Sequence, residues 1–293
     1  MSETDPPLAP GLYLVATPIG NLEDITLRAL RVLRSVDRIA CEDTRQTRKL
    51  LDRYGITTPT ISSHEHNEAE RGRRLVEELK QGARIAVVSD AGTPGISDPG
   101  MVLAAAATAA GVPVVPVPGA SAAITALVGS GLNTDSFFFV GFLPSKAGAR
   151  RTALEDLASS LKQPLTVVIY EAPHRVLETL ADVEAVWGAE CRVVLARELT
   201  KLHEEFLRGT VTEVRGALAA RDSIRGEMVL LFGAGPPAAQ SGSSGGSVSE
   251  RLRALEQSEQ LSEKDALKRI AKERGVSKSD VWRELQRERA RRC

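Results

Sequence analysis

Between Gly11 and about Leu132, short apolar β-rich runs alternate with stretches of helical periodicity. Leu12–Thr17 predicts a strand, and Asp24–Leu33 a helix with Ile25, Leu27, Ala29, Leu30 and Leu33 as its apolar positions. Val36–Ala40 predicts a second strand, Arg45–Tyr54 a second helix, Pro59–Ser63 an extended segment and Glu68–Gln81 a charged amphipathic helix. A strand over Arg84–Ser89 and a Gly- and Pro-rich loop from Asp90 to Gly100 follow. An Ala-rich helix, a strand over Pro113–Val117 and a helix from Ala120 to Gly129 complete the region. Strands separated by helices predict a mostly parallel, doubly wound sheet, because parallel neighbours need a long crossover that a helix supplies.

The pattern changes after Asn133. Phe137–Phe142, Leu165–Tyr170, Cys191–Ala196, Glu205–Val211 and Glu227–Phe232 are strand candidates, joined by helices near 147–161, 173–187 and 212–219. The last two strands have little chain between them, which predicts a mixed second sheet. Residues 233–249 (GAGPPAAQSGSSGGSVS) have the composition of a flexible linker. Beyond it, Ser262-x-x-Asp265 and Ser277-x-x-Asp280 each resemble a capping-box start, with Gly275 between them as a helix stop. Leu267, Ile270, Val276, Val281 and Leu285 could make a miniature core for a helix-turn-helix-like hairpin, or for an ordinary charged one. The predicted division is an α/β domain over 11–132, a second over 133–233, a linker over 234–248 and a basic helical tail over 249–293.

The chain has 293 residues, 42% of them hydrophobic, which suits two α/β domains of ordinary size. Its 38 basic and 38 acidic residues cancel, so bulk charge points to no nucleic-acid partner. The tail is different, with thirteen basic against nine acidic side chains in residues 248–293. Cys41, Cys191 and Cys293 are too few and too far apart for a disulfide framework or a metal knuckle, so a reducing cytosol is expected. An acidic, Pro-rich start predicts no signal peptide, and no apolar run has the length of a membrane span.

Thr17-Pro-Ile-Gly-Asn21 follows the first strand where a dinucleotide-binding fold would carry GxGxxG, and GxxxxGK[ST], HExxH and GxSxG are absent from the sequence. What the sequence offers is three Gly/Pro/Ser/Thr loops, each just after a strand: 17–21, 89–100 and 116–122. In open α/β sheets ligands sit beyond the carboxyl ends of the strands, and glycine there lets the backbone approach a ligand closely. Strand-to-helix turns favour Gly and Pro in any case, but the twelve-residue 89–100 loop is longer than a turn requires.

Ser89-Asp-Ala-Gly-Thr-Pro-Gly-Ile-Ser-Asp-Pro-Gly100 resembles the signature of one methyltransferase branch. It is joined in order by Val15–Leu22, Cys41–Arg45, His64–Asn67, Pro118–Ser121, Gly141–Pro144 and Tyr170–Arg175. From Gly11 to Phe232 the sequence is similar to the 16S ribosomal RNA (cytidine) 2′-O-methyltransferases (RsmI) of the tetrapyrrole-methylase-like, class III, S-adenosylmethionine methyltransferases. The resemblance implies two α/β domains with the cofactor in the cleft between them, and a small helical extension. It implies S-adenosylmethionine near Pro18, near Asp90, Ala91, Gly92 and Ser97, near Ser121 and Ala122, and near Phe142 and Gly226-Glu227-Met228. It further implies 16S rRNA of the 30S subunit as partner, a homodimer in the cytosol, and neither metal nor membrane. A precorrin-type C-methyltransferase, sharing the fold, is the nearest alternative; a DNA-binding regulator sensing a small molecule is the alternative from another class.

Attack by a ribose hydroxyl needs alignment and a proton acceptor or electrostatic partner. Glu42, Asp43, Arg45, His64, Lys146, Glu171, Arg175 and Glu198 are the candidates, with Glu171 and Asp43 the catalytic pair to test. Asp43 also suits a helix N-cap, and a carboxylate following a buried strand, as Glu171 does, must be paired or functional. Arg45, Lys146, Arg150 and Arg175 are candidate holders of RNA phosphates. His64 and His66 alternate like metal ligands but lack a third, which favours a hydrogen-bonding loop. Arg197 and Glu198 read as members of structural ion pairs, and Phe137–Phe139 as core or subunit interface.

Overall fold

The computed structural model describes residues 7–63, 68–97 and 100–235. In the C-terminal stretch it describes 252–253, 255–256, 262–274, 278, 281–282 and 285. His64–Asn67, Val276, Ser277, Cys293 and most of the expected linker lie outside the described residues. The chain forms two compact units, residues 1–236 and 237–293.

In the first unit, strands β1 (Gly11–Val15), β2 (Arg38–Cys41), β3 (Thr60–Ser62), β4 (Arg84–Val88) and β5 (Val114–Val117) form a parallel sheet in the order β3-β2-β4-β1-β5. Pro116 cannot donate to a ladder and is accommodated because β5 is an edge strand. Helices α1 (Leu27–Ser35) and α2 (Thr44–Arg53) cover one face, where Leu30, Leu33 and Leu51 meet Tyr13, Ile39 and Val88. Helices α3 (Glu68–Lys80) and α4 (Met101–Ala109) cover the other, where Leu75, Leu79 and Leu103 meet Leu12, Ile85 and Val87. The helix expected from Asp24 begins three residues later. Asn21 caps a single 3₁₀ turn over Leu22–Asp24, and the Thr26 hydroxyl then accepts the Ala29 N–H at 3.0 Å, restarting the chain as α1. Leu27 consequently sits at the exposed helix start, not in the core.

The second sheet, in the order β6-β7-β10-β8-β9, is mixed as expected. Its strands are β6 (Phe137–Phe142), β7 (Leu165–Glu171), β8 (Arg192–Arg197), β9 (Glu205–Thr210) and β10 (Met228–Ala234). β6 and β7 run parallel, and the remaining neighbours are antiparallel. Alternate residues face opposite ways along a strand, so the continuous apolar runs of β7, β8 and β10 require cover on both sides. Val167, Ile169, Val193, Leu195, Leu230 and Phe232 pack under α6 (Ala147–Ser160), α7 (Val176–Trp187) and α8 (Val211–Ala219). Val168, Val194, Ala196, Val229 and Leu231 pack under α5 (Ala122–Ser130), through Ala123, Ala126 and Leu127. The sequence pattern placed α5 with the first region; its packing places it on the second sheet. Arg208 of β9 fixes it there, donating to the Ser130 and Gly129 carbonyls at 3.1 and 2.6 Å, where a cation suits the helix C-terminus.

In the second unit, Ser262 caps α9 (Glu263–Arg274), accepting the Asp265 N–H at 3.3 Å. Leu252, Leu255, Leu267, Ile270, Val281 and Leu285 are buried together, four of them residues expected to form the miniature core.

Candidate functional site

Three loops converge at the carboxyl end of the first sheet. Thr17 and Gly92 exchange backbone hydrogen bonds at 2.8 and 3.1 Å, the Thr17 hydroxyl donates to the Ser89 carbonyl at 3.2 Å, and the Thr93 hydroxyl donates to Ala120 O at 3.1 Å. Gly92 has φ +82°, a backbone that L side chains rarely adopt, and an added Cβ would press Ile19 at 3.3 Å. Ser97 also lies in the left-handed region, at φ 61°. Opposite them, Phe142 and Tyr170 meet edge to face at 5.6 Å.

Between these walls is a cavity of ≈ 350 Å³, within the usual size range of small-molecule sites, about 300–1,000 Å³. Ala91, Gly92, Ser97, Ser121, Ala122, Phe142, Gly226, Glu227 and Met228, all expected at the cofactor, line it. Pro18 and Asp90 do not. Pro18, next to Thr17 in the chain, is buried, and exposed Asp90 accepts the Asp43 N–H at 3.2 Å. Ile19, Thr93, Tyr170, Leu199 and Val229 also line the cavity and were not anticipated. Ile19 and Tyr170 lay inside quoted motifs, whereas nothing local to Leu199 signals its role. Glu171 and Glu227 are the charged residues of the lining among the described residues, and each is paired with a cation outside it, the wholly buried Glu171 side chain with Arg175 and Glu227 with Lys201.

The Gly226–Met228 wall is held by the loop after β8. Glu198 N–H donates to Glu227 O at 2.9 Å, and Glu198 Oε1 accepts the Glu227 N–H at 2.9 Å. Lys201 Nζ lies 2.8 Å from Glu198 and 2.9 Å from Glu227. Partial burial works against the Lys201 charge, but the two glutamates outweigh it and raise its pKa; Lys201 and the Glu227 N–H lower that of Glu198. Glu198 and Thr200 both have positive φ, 51° and 64°, and the Thr200 hydroxyl accepts the Asn21 N–H at 3.0 Å. This strained turn thereby joins the second sheet to the first loop. Gly226, at φ +93°, admits no side chain: a Cβ would lie 2.5 Å from Glu198 Cγ.

Glu171 is buried and its carboxylate is fully engaged. Oε1 accepts the Ala172 N–H at 2.7 Å and pairs with Arg175 at 2.7 Å, and Oε2 accepts the Thr179 hydroxyl at 2.5 Å. Asp43 caps α2, accepting the Arg45 N–H at 2.8 Å and pairing with the guanidinium at 2.9 Å, which lowers its pKa. The structure keeps the expected catalytic pair apart, Glu171 in the cavity wall and Asp43 outside the lining. Arg150 departs from its expected exposure to phosphate. It is 1% exposed, with Nε 2.7 Å from Asp182 and Nη2 3.0 Å from Glu178. Arg175 is likewise turned inward onto Glu171, whereas Lys146, just before α6, and Arg45 remain exposed. Arg197 and Glu198 join separate ion pairs, with Glu205 and Lys201. Cys41 and Cys191 are buried free thiols, the latter pushed up to about 11 by burial. Among the described residues no cluster of three His, Cys, Asp or Glu could hold a metal, and no helix is long and apolar enough to cross a membrane.

Residues 11–215 match the model of the tetrapyrrole (corrin/porphyrin) methylases. A ribosomal RNA small subunit methyltransferase I of Halalkalibacterium halodurans is 46% identical over 92% of this chain and 93% of its own length. One of Haemophilus influenzae is 52% identical over 75% of this chain and 77% of its own. Among solved structures, cobalt precorrin-4 methyltransferase superposes with a TM-score of 0.56 at 18% identity, over 76% of this chain and 94% of that one. Uroporphyrin-III C-methyl transferase from Thermus thermophilus, complexed with S-adenosyl homocysteine, does so with 0.54 at 18%, over 76% and 97%. These two likenesses show the fold, and the sequence relatives narrow it: the chain belongs to the tetrapyrrole methylase family and, within it, to the ribosomal RNA small subunit methyltransferase I enzymes.

Proposed function

We propose that the protein methylates the 2′-oxygen of a cytidine ribose in the decoding centre of 16S rRNA, using S-adenosylmethionine. When bound, S-adenosylmethionine supplies an electrophilic methyl on a sulfonium. The observation that carries the reading is a cavity of ≈ 350 Å³ lined by Ala91, Gly92, Ser97, Ser121, Ala122, Phe142 and Gly226–Met228, nine of the positions that the family resemblance assigns to the cofactor. A cavity of this size accommodates a small-molecule cofactor.

Ala91–Thr93, Ser121 and Ala122 line one wall, and Gly226–Met228 line the other. In-line displacement requires chiefly that oxygen, methyl and sulfur be aligned, so rigid walls are the enzyme's main contribution. Lys201, Glu198 and Thr200 fix the Gly226–Met228 wall, and Glu171, the strand partner of Met228, fixes Ala172 and Arg175 on the same side. With its oxygens so occupied, Glu171 serves this reading as a positioning carboxylate rather than a proton acceptor. Asp43 does the same for Arg45 and the start of α2.

The reading includes two α/β domains, over 11–132 and 133–233, a 30S substrate, a cytoplasmic location and a homodimer. Large apolar side chains left exposed on α5 (Ile124, Val128) and on edge strand β6 (Phe137, Phe138) are surfaces a second copy would cover. Labelled S-adenosylmethionine, incubated with the protein and small subunits from cells lacking the modification, is expected to mark one cytidine ribose. Absence of label there, or label in a corrinoid instead, overturns the reading.

A further inference from the structure

Helices α1 and α2 lie on one face of the first sheet, and their charges are one-sided. α1 carries Arg28, Arg31 and Arg34 and no acid; α2 carries Arg45, Arg48, Lys49 and Arg53 against Asp52. All but half-buried Arg31 are exposed. Residues three or four apart share a helix face, so the three arginines of α1 form a row about 9 Å long at 1.5 Å per residue. Within the two helices seven cations stand against one acid, Asp52. Arg48 reaches Asp52 only at 4.0 Å, Arg34 donates to the Tyr54 carbonyl, which carries no charge, and Arg45 pairs with Asp43 while 86% exposed. The other acids of this side, Glu23, Asp24 and Glu42, precede the helices and are not part of them.

α3, on the opposite face of the same sheet, differs. Its sequence has four acidic residues to four basic ones, and Arg74–Glu78 and Lys80–Glu77 pair at 3.2 and 2.8 Å. On the second sheet α7 carries Glu178, Asp182 and Glu184 and no Lys or Arg. A solvated helix needs no such excess, and the cationic face begins beside the cavity. α1 follows the loop that contributes Ile19, and Asp43, at the start of α2, donates its N–H to Asp90, the neighbour of cavity-lining Ala91.

We propose that the α1–α2 face is the docking surface for ribosomal RNA, its arginines and Lys49 holding backbone phosphates while the cavity addresses the target ribose. The inference rests on the rRNA reading above. Contacts of this kind fix position without reading sequence, and each phosphate neutralised adds about 0.7–0.9 to the slope of log affinity against log salt.

The test compares wild type with Arg28→Gln/Arg48→Gln/Arg53→Gln and, as a control of equal charge, Arg73→Gln/Arg74→Gln/Lys80→Gln on α3. Affinity for small subunits is measured across a salt series, and S-adenosylhomocysteine binding by calorimetry. The α1–α2 variant is expected to bind subunits about tenfold or more weakly, with a salt slope about 2 shallower and unchanged S-adenosylhomocysteine affinity. The α3 variant is expected to match wild type. Equal losses in both variants, or none in the first, overturn the docking surface while leaving the rRNA reading intact. A wild type that neither binds nor methylates small subunits overturns both.

Discussion

The two sheets of the first unit solve the same burial problem in different ways. The first, all parallel, is covered on both faces by helices from its own crossovers, α1 and α2 on one side, α3 and α4 on the other. The second is mixed, and its own helices α6–α8 cover one face only. Its other face is closed by α5, which the chain makes before the second sheet begins. Antiparallel neighbours need no crossover helix, so a mixed sheet runs short of cover and takes it from elsewhere. The cavity sits where that cover is taken: Ser121 and Ala122, at the head of α5, line it together with Ala196 and Val229 of the sheet beneath.

Substitutions can separate the two sheets. The largest effect is expected at Glu171. Truncation to Ala leaves Arg175 without its carboxylate in a nearly buried site, a loss of about 3–5 kcal/mol. A lowered thermal midpoint with reduced S-adenosylhomocysteine affinity is the outcome; Glu171→Gln should recover part of both. Next comes a matched pair of overpacking changes at fully buried alanines, Ala126→Leu on α5 and Ala107→Leu on α4. Each should cost about 1–3 kcal/mol, but only the first should weaken cofactor binding in calorimetry, because only α5 carries a cavity wall. Equal binding by both variants would break the comparison.

Ion pairs supply the smaller effects. On the second sheet Arg221 and Arg197 hold Glu205 down to about 2, with Arg221 the stronger influence, against an ordinary value of 4.5. A depressed carboxylate contributes stability that is complete above its unfolded value and disappears as pH falls toward the folded one. The midpoint difference between wild type and Glu205→Gln should therefore be largest near neutrality and shrink from about pH 4.5 downward. On the first sheet Asp37 grips Arg84 through both carboxylate oxygens, yet both side chains are more than a third exposed or close to it. Asp37→Asn should cost less than about 1 kcal/mol, and added salt should shrink that further.

Local pattern went far in this chain. Strand runs, their alternation with helices and the Gly/Pro loops are written in consecutive residues, and those loops bring Ala91, Gly92, Ser97, Ser121 and Ala122 to the cavity as expected. The places where reading along the chain departed from the structure are tertiary. That α5 serves the second sheet is invisible locally, since a small, apolar helix fits either sheet. Arg150 reads as a surface residue beside Arg151, and only Asp182 and Glu178, about thirty positions away, explain its burial. Leu199 joins the cavity because the strained Glu198–Thr200 turn directs it there, a backbone state that its neighbours do not announce.

The borrowed helix also governs how the molecule can be divided. Cutting the chain in the loop between Ser130 and Phe137 would give an N-terminal fragment displaying the apolar side of α5 and a C-terminal fragment with one sheet face bare. Neither piece would be a self-sufficient module, and the two should reassociate through that helix when mixed, so gene fusions or circular permutants are better opened elsewhere.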